Sequence, residues 1–238
     1  MSASKDSFQF KQFKVEQRLC AMKVGTDGTL LGAWARGGAT ILDVGTGTGL
    51  IALMMAQRFP EARITAIDID PTACEQAEEN VRQSPFAQQI QVAQADFASF
   101  TSLPIPSSPF EAIVSNPPYF QRSLECPDEK RTLARHTASL PFDMLMQQAF
   151  RLLSDAGSFS LIIPAEGKAS LEAQAALTGF FKTRECAVKT TPRKQPRRYL
   201  LEFCKHPADR LELSEGIIET SPNVRSEWYQ ELTKDFYL

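Results

Sequence analysis

The sequence predicts an α/β protein: an open, mostly parallel sheet of seven strands, helices on both faces, and an antiparallel hairpin toward the C-terminus. Three observations predict it. Short apolar runs alternate with helical segments, the pattern of βαβ units. The first run passes directly into a glycine-rich loop, Gly45-Thr-Gly-Thr-Gly49. The next two runs close on Asp68 and Asp96, acidic residues where a parallel sheet presents its ligand-binding edge.

The elements follow in order. Residues 40–44 form a short apolar run bounded by glycine, a buried strand. Residues 50–59 are apolar on nearly every side, so this helix is covered all round, and Pro60 stops it. Residues 63–69 are the second strand. Asp70 is placed to cap the next helix, with Pro71 at its first position and Ala73, Ala77 and Val81 along one face. Residues 90–93 and 110–115 are the third and fourth strands, and residues 120–139 are a long polar loop of the kind that often carries function. A helix over 142–153, a turn at Ser154-Asp-Ala-Gly157, a fifth strand over 159–163 and a helix over 165–177 follow. Residues 186–190 and 199–204 are the arms of the hairpin. The division expected is one domain, with residues 1–36 capping the cofactor site, 37–205 as core, and 206–238 as an acidic extension. That extension ends in an amphipathic helix carrying Trp228, Leu232 and Phe236.

Composition narrows the function classes. At 238 residues and 43% hydrophobic, the chain buries one sizeable core. A net charge of −2 gives no global field for nucleic acid, so any such binding falls to a local patch. The polar start carries no secretory signal, and no run is long enough to span a membrane. The five cysteines are scattered, with no metal-ligand or redox spacing; reduced thiols, no metal and a cytoplasmic location are the expectation.

The glycine loop carries the first chemistry. Glycines at 45, 47 and 49 remove the Cβ atoms that would block a ligand lying on the backbone. Leu50 stands where a dinucleotide fingerprint continues toward its third glycine, so no pyrophosphate is being cradled. Asp43, just before the loop, suits a ligand bearing an ammonium and a sulfonium. Asp68, with Ile69 beside it, lies where a carboxylate accepts both hydroxyls of a ribose. Asp96, with Phe97 beside it, lies where an acid accepts an adenine amino group.

Asn116-Pro-Pro-Tyr119 ends the fourth strand and suits an sp² amine, whose delocalised lone pair makes it a poor nucleophile. The Asn116 side-chain oxygen accepts one N–H and the Pro117 carbonyl the other, freeing the lone pair. Pro117 and Pro118 fix φ and preorganise that carbonyl. Tyr119, next to Phe120, offers a face for a flat acceptor base. Taken alone the tetrapeptide is also an ordinary strand-ending turn.

With these residues in view, the core resembles class I methyltransferases, a Rossmann-like fold, carrying the N/D-P-P-Y/F signature. Over nearly its whole length the chain resembles the bacterial tRNA1(Val) (adenine(37)-N6)-methyltransferase family. The residues that carry the likeness are Phe10-Lys-Gln-Phe13, Cys20-Ala-Met-Lys-Val-Gly-Thr-Asp-Gly28, Leu30-Leu-Gly-Ala-Trp34, Asp43-Val-Gly-Thr-Gly47, Ser115-Asn-Pro-Pro-Tyr119, Ala134-Arg135 and Asp235-Phe-Tyr-Leu238. The resemblance implies a monomeric enzyme that uses S-adenosylmethionine and meets the anticodon stem-loop of a tRNA. It implies that Lys23, Gly25, Thr26 and Asp27 cover the methionine end of the cofactor. Arg135 lies where the acceptor would pass. Arg193, Lys194, Arg197 and Arg198 flank two prolines at the hairpin tip, placed to grip phosphates or to form a solvated loop. Protein glutamine N5-methyltransferases share the tetrapeptide but carry a helical domain before the core, for which some thirty-five residues are too few. That reading, and an rRNA or DNA base as acceptor, remain the alternatives.

Overall fold

The computed structural model describes residues 6–20, 23–101, 109–117 and 140–237. Its strands are β1 (Ser7–Gln9), β2 (Lys14–Glu16), β3 (Thr40–Val44), β4 (Arg63–Asp68), β5 (Ile90–Gln94), β6 (Phe110–Ser115), β7 (Leu153–Pro164), β8 (Phe181–Lys189), β9 (Arg198–Cys204), β10 (Glu212–Ile217), β11 (Glu219–Ser221) and β12 (Val224–Arg225). Its helices are α1 (Thr26–Trp34), α2 (Leu50–Arg58), α3 (Pro71–Arg82), α4 (Phe142–Leu152), α5 (Lys168–Thr178) and α6 (Glu227–Thr233), with a 3₁₀ turn at Ala165–Gly167.

The main sheet has eight strands in the order β10-β8-β9-β7-β6-β3-β4-β5, and β9 alone runs antiparallel. From β3 the chain steps outward through β4 and β5, then returns to lay β6 on the other side of β3. This reversal opens a crevice at the carboxyl ends of β3 and β6, where α/β sheets bind ligands.

Alternation along the strands divides the core. Ile41, Ile64, Ala66, Ala112, Val114 and Ile162 face one side, against the apolar residues of α1 and α2 and against Val81 of α3. Leu42, Val44, Ile67, Ile113, Leu161 and Ile163 face the other, against Leu145, Met146 and Ala149 of α4 and Leu171 and Ala175 of α5. Helix α2 is buried from Leu50 to Ala56, as its unbroken apolar sequence predicts. Helix α3 starts as expected: Pro71 is its first residue and the Asp70 carboxylate accepts the Thr72 amide at 2.9 Å.

Two differences from the sequence expectation concern the sheet. The eighth strand, β10, comes from what reads as an acidic tail. Four of its six residues are exposed, so it lacks the apolar alternation that marks a strand, and it adds to β8 as an edge. Gly216 within it lies under the Trp228 ring, where a Cβ would overlap the indole. Ser154-Asp-Ala-Gly157 is not a separate turn. It lies inside the twelve-residue β7, where the register with β6 slips between Phe110 and Ala112.

Candidate functional site

Register places the sequence-predicted residues side by side. Val44 pairs with Ile67 on one side and Ser115 on the other, so Gly45, Asp68 and Asn116 leave three adjacent strand ends. Neighbouring strands lie about 4.8 Å apart, which puts the glycine loop between a carboxylate and a carboxamide. The Ser115 hydroxyl donates to the Val44 carbonyl at 3.0 Å and ties the two strand ends together.

The loop adopts a conformation only glycine takes readily. Gly45, Gly47 and Gly49 have φ of 72°, 55° and 80°. The amides of Gly45 and Thr46 both donate to the Ile67 carbonyl at 2.9 Å, and the Gly47 amide donates to Asp68 Oδ2 at 2.9 Å. Among the described residues, chain neighbours aside, no heavy atom lies within 4 Å of where a Cβ would stand at Gly45 or Gly47. That open floor leaves room for a flat ligand against the backbone.

Asp43 sits beneath it, fully buried. Its Oδ2 accepts from the Thr46 hydroxyl at 2.6 Å and the Ala52 amide at 3.2 Å, while its buried Oδ1 has no hydrogen-bond partner among the described residues. Burial pushes this carboxyl up to about 7, with the Thr46 and Ala52 hydrogen bonds opposing and the nearby Asp68 charge adding to the rise. Asp68 is half-buried, and its Oδ1 accepts the Asp70 amide at 3.0 Å. Asp96 is exposed and accepts the Ala98 amide at 3.0 Å, while Phe97 beside it is buried. Ile69, 50% exposed, is a large apolar side chain left open beside the loop. A half-buried acid, an exposed acid beside an apolar face, an open glycine floor and a buried carboxylate oxygen without a partner among the described residues together fit S-adenosylmethionine.

Asn116 is partly buried and Pro117 buried at the end of β6. Pro118, Tyr119, Phe120 and Arg135 lie outside the described residues.

The N-terminal segment is tied to the loop's surroundings through Asn80, which bridges Glu16 and Thr48, and through α1, which packs on α2. Gly25 precedes α1, and the Thr29 hydroxyl donates back to its carbonyl at 3.2 Å. Lys23 and Gly25 are exposed, Thr26 and Asp27 half-buried. Gly28 lets α1 pass against the start of α2: a Cβ there would stand 3.1 Å from Leu50 Cδ2. Asp27 pairs with Arg198 at 2.8 Å.

The basic hairpin tip shares this edge. Because β9 is antiparallel to β7, Arg198 pairs with Pro164 at the carboxyl end of β7. The tip between β8 and β9 therefore stands on the rim that holds the glycine loop and Asn116. Arg193, Lys194 and Arg197 are exposed on it, whereas Arg198 is turned to Asp27.

Sequence reasoning missed the polar pins of the cap. Asn80, 1% exposed, accepts the Glu16 amide at 2.8 Å and donates to the carbonyls of Glu16 at 2.8 Å and Thr48 at 2.9 Å. It thus fastens β2 to the glycine loop. Gln76 accepts the Leu19 amide at 3.1 Å, and Gln17 accepts that of Val24 at 2.8 Å. Two polar residues on the apolar face of α3 were the available signal. Among the described residues no group of His, Cys, Asp and Glu is placed to hold a metal ion, and no helix is long and apolar enough to cross a membrane.

Comparison with known proteins agrees with this geometry. Residues 41–141 match the model of a methyltransferase domain family. The tRNA1(Val) (adenine(37)-N6)-methyltransferase of Phocaeicola vulgatus is 51% identical over 97% of both chains, and that of Bacteroides thetaiotaomicron 44% over 97% of both. The crystal structure of a predicted O-methyltransferase from Agrobacterium tumefaciens superposes with a TM-score of 0.69 at 21% identity, covering 88% of this chain and 96% of that one. A glycopeptide N-methyltransferase complexed with S-adenosylmethionine superposes with a TM-score of 0.56 at 11% identity, covering 77% and 89%. These two likenesses show the fold alone, that of a class I methyltransferase. The near full-length relatives show more: this chain belongs to the tRNA1(Val) (adenine(37)-N6)-methyltransferase family.

Proposed function

We propose that this protein methylates N6 of adenine 37 in the anticodon loop of tRNA1(Val), with S-adenosylmethionine as donor. The observation that carries the proposal is the adjacency of the glycine loop and Asn116 at the sheet's switch point. S-adenosylmethionine supplies an electrophilic methyl group on its sulfonium. The chain does the rest by positioning. Gly45, Gly47 and Gly49 give the donor a floor, Asp68 holds its ribose, Asp96, Ile69 and Phe97 hold its base, and Lys23 to Asp27 cover its amino-acid end. The Asn116 oxygen and the Pro117 carbonyl each accept one N–H of the adenine amine. That pulls the nitrogen toward tetrahedral geometry and frees its lone pair for in-line attack. Attack on the methyl carbon forms the C–N bond as the S–CH3 bond breaks, leaving S-adenosylhomocysteine, and the nitrogen sheds one proton to water. Tyr119 and Phe120 carry the flipped base, and unstacking it is the cost of reaching N6. Arg135 is a further candidate contact for the acceptor RNA, and Arg193, Lys194 and Arg197 on the hairpin tip meet backbone phosphates.

The test is product identification. The protein is incubated with radiolabelled donor and with separate tRNA, rRNA, DNA and protein fractions from a strain lacking the gene, and the labelled product is digested. Label in N6-methyladenosine from a valine tRNA is the expected result. Label in N5-methylglutamine, or in rRNA or DNA, assigns the acceptor elsewhere.

A further inference from the structure

We infer that Arg198 is a positioning residue: through its ion pair with Asp27 it latches the RNA-facing hairpin to the helix that closes the donor site, so that tRNA and donor binding reinforce each other. The inference rests on the proposed function for its two ligands and goes beyond it in joining them.

The path is short and continuous. Arg193, Lys194 and Arg197 stand exposed on the β8–β9 tip, and Arg198 begins β9 immediately after them. The Arg197 carbonyl accepts the Ala165 amide at 3.0 Å and its amide donates to the Val188 carbonyl at 3.0 Å, so the base of the tip is held to the 3₁₀ turn after β7 and to β8. Arg198 Nη1 lies 2.8 Å from Asp27 Oδ1, an ion pair outside hydrogen-bond geometry, with 28% and 32% of the two side chains exposed. Asp27 is in the first turn of α1, and the next residue, Gly28, packs on Leu50, which follows directly on Gly49 of the loop. One ion pair thus separates the residues that face phosphate from the backbone that faces the donor.

The alternative for Arg198 is a fourth phosphate contact. Its geometry disfavours that. A guanidinium already paired with a half-buried carboxylate must give up that partner to reach RNA, and leave the carboxylate without compensation. Burial raises the Asp27 carboxyl above its usual range and the Arg198 charge opposes this, so losing Arg198 leaves the half-buried carboxyl with less compensation. Whatever the tip gains from ordering on RNA then reaches α1 through this pair, and linkage requires the reverse effect to be equal.

The experiment is a double-mutant cycle on the full chain: Arg198→Ala, Asp27→Ala, both together, and the exchanged pair Asp27→Arg/Arg198→Asp. Donor affinity is measured by calorimetry with and without a valine-tRNA transcript, and tRNA affinity across a salt series. Expected for wild type is a several-fold gain in donor affinity when tRNA is present. Each single substitution is expected to erase that gain, the double to add nothing further, and the exchanged pair to restore part of it, with the salt slope of tRNA binding unchanged in Arg198→Ala. A slope reduced by about 0.7–0.9 in Arg198→Ala with the gain intact makes Arg198 a phosphate contact and overturns the latch. Wild-type protein that binds the donor tightly but shows no gain with tRNA overturns the latch while leaving the proposed function standing. Wild-type protein that binds neither ligand overturns both.

Discussion

At the scale of single residues the site separates groups that act on the chemical step from groups that hold the site together. Asn116 belongs to the first kind. Its hydrogen bond to the acceptor amine strengthens as the nitrogen gains positive charge, so it works on the transition state more than on affinity. Asn116→Ala is expected to slow single-turnover methylation about a hundred- to a thousand-fold while donor affinity stays near wild type. Methylation at the wild-type rate removes the residue from the mechanism. Asp43 belongs to the second kind. Its native carboxyl titrates near 7 because it is buried, against 3.8 for an ordinary aspartate. Between those two values the native state keeps a proton that the unfolded chain has shed, so stability falls as pH rises through the window. Melting of ligand-free protein from about pH 4.5 to about pH 7.5 is expected to show that decline, and Asp43→Asn to flatten it. An identical slope in the variant places the titration elsewhere. Asp43 also marks where sequence stops short. Its residue type and place before the loop pointed toward the donor's ammonium, yet its Oδ2 serves Thr46 and Ala52. Which oxygen faces which partner depends on a loop conformation that residue types do not carry.

At the scale of elements, what reads from sequence is what is driven by burial. Strand β6 and helix α2 have long apolar patterns and fall within a residue of their expected bounds. Helix α3 carries its own cap and proline. Strand β10 was illegible because an exposed edge needs no apolar alternation. The cap hairpin β1–β2 is three residues a strand, too short for a period. It is held instead by Asn80, and Asn80→Ala leaves the Glu16 amide and two carbonyls unsatisfied. A loss of about 3 kcal/mol in urea unfolding is expected, at roughly 1–3 kcal/mol per orphaned buried group. A loss within error of zero means water replaces the side chain. The hairpin tip yields the opposite prediction. Arg193→Ala, Lys194→Ala and Arg197→Ala combined are expected to leave melting unchanged, weaken tRNA binding and lower its salt slope by about 2–3. An unchanged slope returns the tip to ordinary solvated surface.

At the scale of the whole molecule, chain segments far apart in sequence close one aromatic cluster. The Tyr237 ring lies 5.8 Å from Phe8 and 5.7 Å from Phe10, and the Lys11 amide donates to the Phe236 carbonyl at 2.8 Å. The Tyr237 hydroxyl donates to Thr29 at 3.2 Å, whose hydroxyl donates to Gly25 at 3.2 Å. Tyr237→Ala is expected to destabilise the protein by about 3 kcal/mol and to speed amide exchange over residues 7–16 first. Tyr237→Phe should keep most of the stability and lose only the hydroxyl's ties to Thr29 and Tyr229. Uniform exchange across the sheet in Tyr237→Ala means the aromatic cluster is not a separate unit. This closure also orders events during synthesis. The docking partners lie far apart in the chain, and at about 5–20 residues per second the ribosome needs roughly ten to fifty seconds to make what lies between them. Through that interval Phe8 and Phe10 lack the Tyr237 ring they pack against. The sheet can assemble strand by strand as it emerges, but this aromatic cluster waits for Tyr237.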